Sequence, residues 1–213
     1  MSDSTSSCSK NGPHPSDCEI LEGYRTRVRE RMQEKPSDEE RRLLAKAEPI
    51  RLLLLDVDGV LTDGSLLYTE DGIEAKAFNT QDGLGIRLVQ RCKIDVGIIT
   101  ARSSNLVQRR AEELTMKYIS QGGGNKYETF KTIIAQAGLK PYQVCYMGDD
   151  WIDLGLLSRV GLAACPANAV SEVKGICHMV TDRSGGFGAV RQVCDLLVRA
   201  KGVQDSLLQE FLC

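Results

Sequence analysis

The chain has few of the residues on which several common chemistries depend. Among its 213 residues are only two histidines, His14 and His178, and its eight cysteines include no Cys-x-x-Cys pair. This composition excludes a zinc site of the usual ligand spacing. The cysteines are therefore expected to be free thiols in a protein of a reducing compartment.

Long apolar runs and a large net charge are also absent. The longest unbroken apolar runs are only a few residues, such as Leu52 to Leu55, whereas a membrane-spanning helix needs about 20. The net charge of −2 gives no electrostatic footprint for nucleic acid or for an anionic membrane. The first 20 residues have no apolar stretch typical of a secretory signal peptide. We therefore expect a cytoplasmic protein that binds neither nucleic acid nor a membrane.

Composition divides the chain into three parts. Residues 1–48 are polar and charged, and they are predicted to form an N-terminal extension that is partly disordered or helical. Residues 49–202 contain most of the apolar segments and are predicted to form the main domain, which leaves residues 203–213 as a C-terminal tail. With 42% hydrophobic residues, the chain can bury a core of ordinary size.

Short apolar strands and helices alternate along the main domain. The run from Ile50 to Leu55 predicts a strand buried on both faces, and Val144 to Met147 predicts another. Residues 65–78 are predicted to form a β-hairpin, because two short strand-like segments flank a Gly-containing turn. The alternation predicts an α/β fold, a doubly wound parallel sheet with helices on both faces. It leaves no room for a large cap domain, so the hairpin is the one insertion.

Helix boundaries follow from capping residues. Asp82 is predicted to cap a helix that runs to Arg91, and Ser103 or Ser104 to cap the next one. A single helix is predicted for Trp151 to Val160, ended by Gly161.

Reactive side chains follow several of the predicted strands. Active groups gather at the carboxyl ends of the strands in folds of this kind. Any one of them alone is typical of a turn, a helix cap or a solvated charge, but together they predict one acidic site with a hydroxyl and a lysine. The residues concerned are Asp56, Asp58, Thr100, Lys126, Asp149 and Asp153.

The residue types indicate phosphoryl transfer. Clustered carboxylates without histidine or cysteine favour Mg²⁺, which prefers oxygen ligands. Asp56 is predicted to attack phosphorus and form an aspartyl phosphate, and Asp58 to protonate the leaving alcohol and later activate water. The Thr100 hydroxyl and the Lys126 ammonium can hold the remaining phosphoryl oxygens.

These motifs, in this order, resemble those of the haloacid dehalogenase-like phosphatases. Over roughly residues 50–202 the chain is also similar to the 3-deoxy-D-manno-octulosonate 8-phosphate phosphatases, which act in making the inner sugar of Gram-negative lipopolysaccharide. That similarity lies in the segments Lys76 to Arg87, Ile98 to Arg102, Asn125-Lys126 and Gly185 to Arg191.

The resemblance implies a cap-less, Rossmann-like fold and a homotetramer, with the hairpin packed against neighbouring subunits. Mg²⁺ would be bound by Asp56, by the backbone carbonyl of Asp58 and by Asp149, with Asp153 supporting them. The substrate would be a small phosphorylated keto sugar acid. Its contacts would include Asp58 and Lys126, and the further candidates are Asn79, Thr80, Gln81, Asp82, Gly83, Arg87, Arg102 and Arg110.

Three positions depart from the family pattern. Phe187 and Gln81 stand where the family often has arginine, and Ala101 stands where glycine is common. The absence of these two arginines leaves the phosphatase chemistry intact but removes positive charge near an anionic substrate. A related nine-carbon keto sugar acid phosphate is therefore an alternative substrate. A non-catalytic assembly module is a second alternative, against which the presence of Asp56, Asp58 and Asp149 argues. A phosphotransfer receiver is a third, and receivers lack the Asp-x-Asp-Gly turn.

Overall fold

The computed structural model describes residues 15–32 and 36–212. The expectation of disorder near the N-terminus falls partly on residues 1–14, outside the described residues. In the described part of the chain, no helix is both long and apolar enough to cross a membrane.

A six-stranded parallel sheet forms the centre of the molecule, in the order β5-β4-β1-β6-β7-β8. The doubly wound α/β fold is thereby confirmed. A separate antiparallel pair, β2 and β3, forms the predicted hairpin. The strands are β1 Leu52–Leu55, β2 Leu67–Tyr68, β3 Glu74–Ala75, β4 Asp95–Thr100, β5 Tyr118–Gln121, β6 Val144–Met147, β7 Leu162–Cys165 and β8 Met179–Val180.

Strand β1 is apolar at every position because both faces of the sheet are covered. Leu53 and Leu55 belong to one hydrophobic cluster, whereas Leu52 and Leu54 belong to the other. Side chains alternate between the two faces of a strand, so a continuous apolar run is required here. The helices are α1 Asp17–Met32, α2 Asp38–Ala47, α3 Thr80–Arg91, α4 Asn105–Glu113, α5 Lys126–Ala137, α6 Leu154–Leu157, α7 Ser171–Ile176, α8 Ala189–Ala200 and α9 Gln204–Phe211.

Helices α2 and α9, which precede and follow the main domain, pack on the same side of the sheet. Leu43 and Leu44 of α2 lie against the cluster that contains the buried face of α8. In the segment predicted as a C-terminal tail, α9 places Leu207 in that cluster, and Glu210 pairs with Arg91 of α3. The helix was not predicted, because its contacts lie far away in sequence.

Two predicted helix features are wrong. The cap of α3 is Asn79 rather than Asp82, and its Oδ1 accepts hydrogen bonds from the backbone N–H groups of Gln81 at 2.7 Å and Asp82 at 3.4 Å. The segment from Trp151 to Val160 is no single helix. It begins as a 3₁₀ turn, Trp151–Asp153, and continues as the four-residue α6. The Asp153 carboxylate accepts a hydrogen bond from the backbone N–H of Asp150 and so closes this turn. The turn holds the backbone beside the site, and a regular helix does not begin until α6.

Candidate active site

The carboxyl ends of three neighbouring strands open into one cavity. Asp56 follows β1, Thr100 ends β4 and Asp149 follows β6. The cavity has a volume of about 260 Å³ and is lined by Asp56, Asp58, Gly64, Thr100, Ala101, Arg102, Asp149, Asp150 and Ile152. The sheet therefore brings together the strand-end residues that the sequence singles out.

A buried lysine joins two of the carboxylates. Lys126, the first residue of α5, is 5% exposed, and its Nζ lies 2.7 Å from Asp56 Oδ2 and 2.7 Å from Asp153 Oδ1. Burial alone would lower the pKa of Lys126, but the charges of Asp56 and Asp153 outweigh it, so the pKa is raised. The ammonium therefore stays charged at neutral pH.

Asp153 is a fully buried carboxylate whose oxygens are all engaged. Oδ1 accepts hydrogen bonds from Lys126 and, at 2.5 Å, from the Tyr146 hydroxyl. Oδ2 accepts from the backbone N–H groups of Asp149 at 3.1 Å and Asp150 at 3.3 Å. A Cβ at Gly148 would lie 2.4 Å from the Asp153 carboxyl carbon, so this approach requires glycine. Asp153 thus holds the turn that carries Asp149.

Three carboxylates crowd together at this edge of the sheet. Asp56, Asp149 and Asp153 each offer an oxygen within 4.8 Å of the others, and no other group of this kind occurs among the described residues. Burial, followed by the charge of Asp153, raises the pKa of Asp56 to about 6 against the opposing effect of Lys126. Burial, followed by the charges of Asp56 and Asp153, raises the pKa of Asp149 to about 7. One lysine does not neutralise the three acids.

The donor set fits a magnesium ion. Asp56 and Asp149 offer carboxylate oxygens, which Mg²⁺ prefers. The pKa of each is raised by burial and by the neighbouring negative charge, and a cation would offset that charge. Gly59 keeps the space beside Asp149 open, because a Cβ there would lie 2.0 Å from Asp149 Oδ2. The backbone at Gly59 has φ of +88°, a further reason for glycine.

The carboxylate of Asp58 turns toward cations instead of joining this cluster. Its Oδ1 contacts the ammonium of Lys76, and its Oδ2 lies 3.6 Å from Arg102 Nε. With the side chain engaged in this way, the backbone carbonyl remains the atom through which Asp58 could meet a metal, as the resemblance implies.

Five of the ten predicted substrate contacts lie at the start of α3 rather than along the cavity wall. Asn79 Nδ2 donates to the Gly186 carbonyl at 3.3 Å, and Asp82 Oδ1 accepts from the Arg191 N–H at 2.7 Å. Gln81 Oε1 accepts from Arg183 at 2.8 Å. These bonds connect the segment 79–83 to the loop that contains Arg183 and Gly186 and to the first turn of α8.

The three predicted arginines differ in position. Arg102 lines the cavity. Arg110 donates to the Asn79 carbonyl at 3.4 Å, and a Cβ at Gly83 would lie 2.5 Å from its Nη2. Arg87 donates to the Glu113 carbonyl at 3.2 Å. Among the predicted substrate contacts, Asp58 and Arg102 therefore line the cavity, and Lys126 lies directly behind Asp56.

The hairpin supplies site residues to which the sequence analysis gave no role. Tyr68 accepts a hydrogen bond from Arg102 at 2.7 Å, and Glu74 accepts one from Ser104 Oγ at 2.9 Å. Ser104 is the N-cap residue of α4, yet its hydroxyl donates a hydrogen bond to Glu74 and makes none to the helix backbone. The available signal was the Glu74-x-Lys76 spacing, which puts two opposite charges on one side of an extended segment.

Comparison with known proteins agrees with this geometry. A family model for haloacid dehalogenase-like hydrolases matches residues 110–192. The 3-deoxy-D-manno-octulosonate 8-phosphate phosphatase KdsC of Escherichia coli K12 is 44% identical over 163 residues, 76% of this chain and 87% of that protein.

Solved structures give the same result. The phosphatase of that name from Yersinia pestis has a TM-score of 0.75 at 40% identity, over 78% of this chain and 89% of the other. The phosphatase from Moraxella catarrhalis was solved in complex with magnesium ion, phosphate ion and KDO. It has a TM-score of 0.78 at 36% identity, over 80% of this chain and 98% of the other.

The chain belongs to the haloacid dehalogenase-like hydrolases and is a phosphatase. Within that superfamily it belongs to the family of the 3-deoxy-D-manno-octulosonate 8-phosphate phosphatases, which the motifs in residues 50–202 predict.

The crowded carboxylates predict that a divalent cation would bind at this site in a pH-dependent way. Asp56 and Asp149 have pKa values of about 6 and about 7, above the ordinary value, so protons occupy them as the pH falls through that range. A metal binds the deprotonated form. We expect Mg²⁺ affinity to fall at least about tenfold between about pH 8 and about pH 5.5. Titration calorimetry in buffers of different ionisation heat would measure the affinity and the protons released.

Asp71→Asn, which changes an exposed aspartate at the tip of the hairpin, is the control and should keep the pH dependence. Equal affinity at both pH values, with no proton release, would contradict the assignment of Asp56 and Asp149 to the metal.

Proposed function

We propose that the protein is a Mg²⁺-dependent phosphomonoester hydrolase that acts on a keto sugar acid phosphate. The specific substrate we propose is 3-deoxy-D-manno-octulosonate 8-phosphate, a precursor in lipopolysaccharide synthesis. The observation that carries this proposal is the buried ion pair of Asp56 and Lys126, beside Asp149 in the cavity wall and the buried Asp153. The names of the relatives support the choice of substrate.

Asp56 is the proposed nucleophile. Its Oδ1 accepts a hydrogen bond from the Val57 N–H at 2.7 Å, and its Oδ2 is held by Lys126. These two contacts fix the carboxylate plane at the end of a rigid strand. Attack of a carboxylate oxygen on phosphorus breaks the bond to the leaving oxygen and forms an aspartyl phosphate, which water then hydrolyses.

Asp58 is the proposed general acid and base. It lines the same cavity two residues after Asp56 and is 21% exposed at its side chain. A proton passes from its carboxyl group to the leaving alkoxide in the first step. In the second step the carboxylate takes a proton from the water that attacks phosphorus.

Positive charge for the transferred phosphoryl group comes from Lys126, with the Thr100 hydroxyl at the cavity wall as a further donor. Mg²⁺, held by Asp56, Asp149 and the backbone carbonyl of Asp58, would supply charge neutralisation at the phosphoryl oxygens when bound. Asp153 acts through these groups, because it holds both Lys126 and the turn of Asp149.

Arg102 is the proposed contact for the sugar acid carboxylate. It lines the cavity and its side chain is 44% exposed, so it can exchange its contacts with Tyr68, Glu74 and Asp58 for an anion. The segment 79–83 and the arginines Arg87 and Arg110 are proposed to contribute from the start of α3 and from α4. At Gln81, where the family often has arginine, the neighbouring Arg183 supplies a positive charge through its 2.8 Å hydrogen bond. This contact supports an anionic substrate despite the departure at Gln81.

The test is phosphate release from a panel of sugar phosphates and keto sugar acid phosphates, with Mg²⁺ and with chelator. We expect preference for 3-deoxy-D-manno-octulosonate 8-phosphate, and no release in chelator or with Asp56→Asn. Preference for the nine-carbon analogue would keep the mechanism and change the substrate. Absence of release from every ester would contradict the proposal and favour a non-catalytic assembly module.

We also propose that the chain forms a homotetramer through its hairpin. The hairpin is small and antiparallel, yet its apolar side chains face solvent in the single chain, with Leu67 64% and Ile73 62% exposed. Exposed apolar clusters of this kind are typical of interaction sites. Leu66 and Tyr68 extend the same patch at 44% and 54% exposure.

A variant with Leu67→Lys and Ile73→Lys should dissociate the tetramer, because it would bury two charges in the interface. Light scattering coupled to size-exclusion chromatography would measure the mass. The matched control is Tyr142→Lys, an apolar side chain of 55% exposure outside the hairpin. A wild-type protein with the mass of one chain would rule out the tetramer.

A further inference from the structure

Lys76 is a buried cation in the hairpin segment after β3. Its side chain is 1% exposed, and lysine is almost never buried without a partner, because an ammonium loses its hydration there. Its partners are Asp58 Oδ1, which it contacts directly, and Glu74 Oε1 at 3.5 Å. The contact with Asp58 joins residues 18 positions apart in the chain.

Asp58 depends on cations for its orientation. Asp56 is also held by the backbone N–H of Val57, whereas the contacts recorded for the Asp58 carboxylate come from Lys76 and Arg102. Arg102 is 44% exposed, lies at 3.6 Å and is the group proposed to bind the substrate anion. Water weakens an ion pair at an exposed site, so the buried Lys76 binds the Asp58 carboxylate more strongly than Arg102 does.

Glu74 completes the arrangement. It lies 3.5 Å from both Lys76 Nζ and Arg102 Nη2, and it accepts a hydrogen bond from Ser104 Oγ at 2.9 Å. Two carboxylates and two cations therefore balance, and the hairpin is attached to the loop that follows β4. When Arg102 turns to a substrate, Lys76 still has Asp58 and Glu74 as partners.

We propose that Lys76 is the positioning residue for Asp58: it holds Oδ1 from the hairpin side and thereby leaves Oδ2 on the cavity side to serve the leaving oxygen. This inference rests on the proposed role of Asp58 as general acid. It gives the hairpin a function in catalysis within its own chain, apart from any contact with a second subunit. Lys76 does not touch the transferred phosphoryl group.

The test compares two substrates that differ in the need for a proton. p-Nitrophenolate leaves readily without one, whereas phenolate departs more slowly and benefits from general acid catalysis. The quantity is kcat/KM, which covers the steps up to departure of the leaving group and excludes hydrolysis of the phosphoenzyme. Both esters lack the sugar acid, so a change in sugar recognition does not affect the comparison.

For Lys76→Met we expect kcat/KM on phenyl phosphate to fall by about 30-fold, and on p-nitrophenyl phosphate by less than about threefold. Lys76→Arg, which keeps the charge, should restore most of the loss on phenyl phosphate. The control is Lys117→Met, which removes a lysine that pairs with Asp95 at 2.6 Å on the surface. It should leave both values unchanged. If the methionine variant does not fold, Lys76→Gln gives the same comparison.

An equal fall on both esters would indicate a purely structural role, and no fall on either would remove Lys76 from the reaction; each result overturns the inference. Neither affects the proposed function, because the wild-type enzyme still hydrolyses both esters. A wild-type protein that hydrolyses neither ester nor any keto sugar acid phosphate would instead overturn the proposed function and this inference with it.

Discussion

The buried ion pair between Lys126 and Asp56 is the interaction on which the site depends. Three carboxylates meet at one edge of the sheet, and carboxylates at this distance repel each other. Lys126 offsets part of that charge from a position that is 5% exposed, and Asp153 shares the same ammonium. Because the remaining negative charge is not neutralised by the chain, the site is suited to a divalent cation and to the phosphate that a cation attracts.

The fold brings these charged side chains together because the strands that carry them end at the same edge of the sheet. Parallel strands end at one edge of the sheet, so β1, β4 and β6 deliver residues from distant parts of the chain to one cavity. Gly148 and Gly59 allow the carboxylates of Asp153 and Asp149 to approach the backbone. The hairpin segment contacts two of the residues that line the cavity, because Lys76 pairs with Asp58 and Glu74 pairs with Arg102.

The strand-end residues could be predicted from the sequence because each follows a local apolar run. The bounds of β6, Val144–Met147, were predicted without error for the same reason. The Glu74-x-Lys76 spacing marks two opposite charges, but the partner of Lys76 could not be predicted, since a contact across 18 residues leaves no local pattern. The cap of α3 was assigned to Asp82 because both Asn79 and Asp82 are good capping residues. In the fold, Asp82 is buried and its carboxylate accepts a hydrogen bond from α8, so Asn79 is the residue that caps α3. The sequence does not contain this information.

The central claim is that the transferred phosphoryl group passes through Asp56. Rapid quenching of a single turnover with borohydride, followed by peptide mass spectrometry, tests it most directly, because borohydride reduces an acyl phosphate to an alcohol. The account predicts homoserine at position 56, formed only when both substrate and Mg²⁺ are present. An unmodified Asp56 in enzyme that is turning over, or a reduced residue elsewhere in the chain, would contradict it.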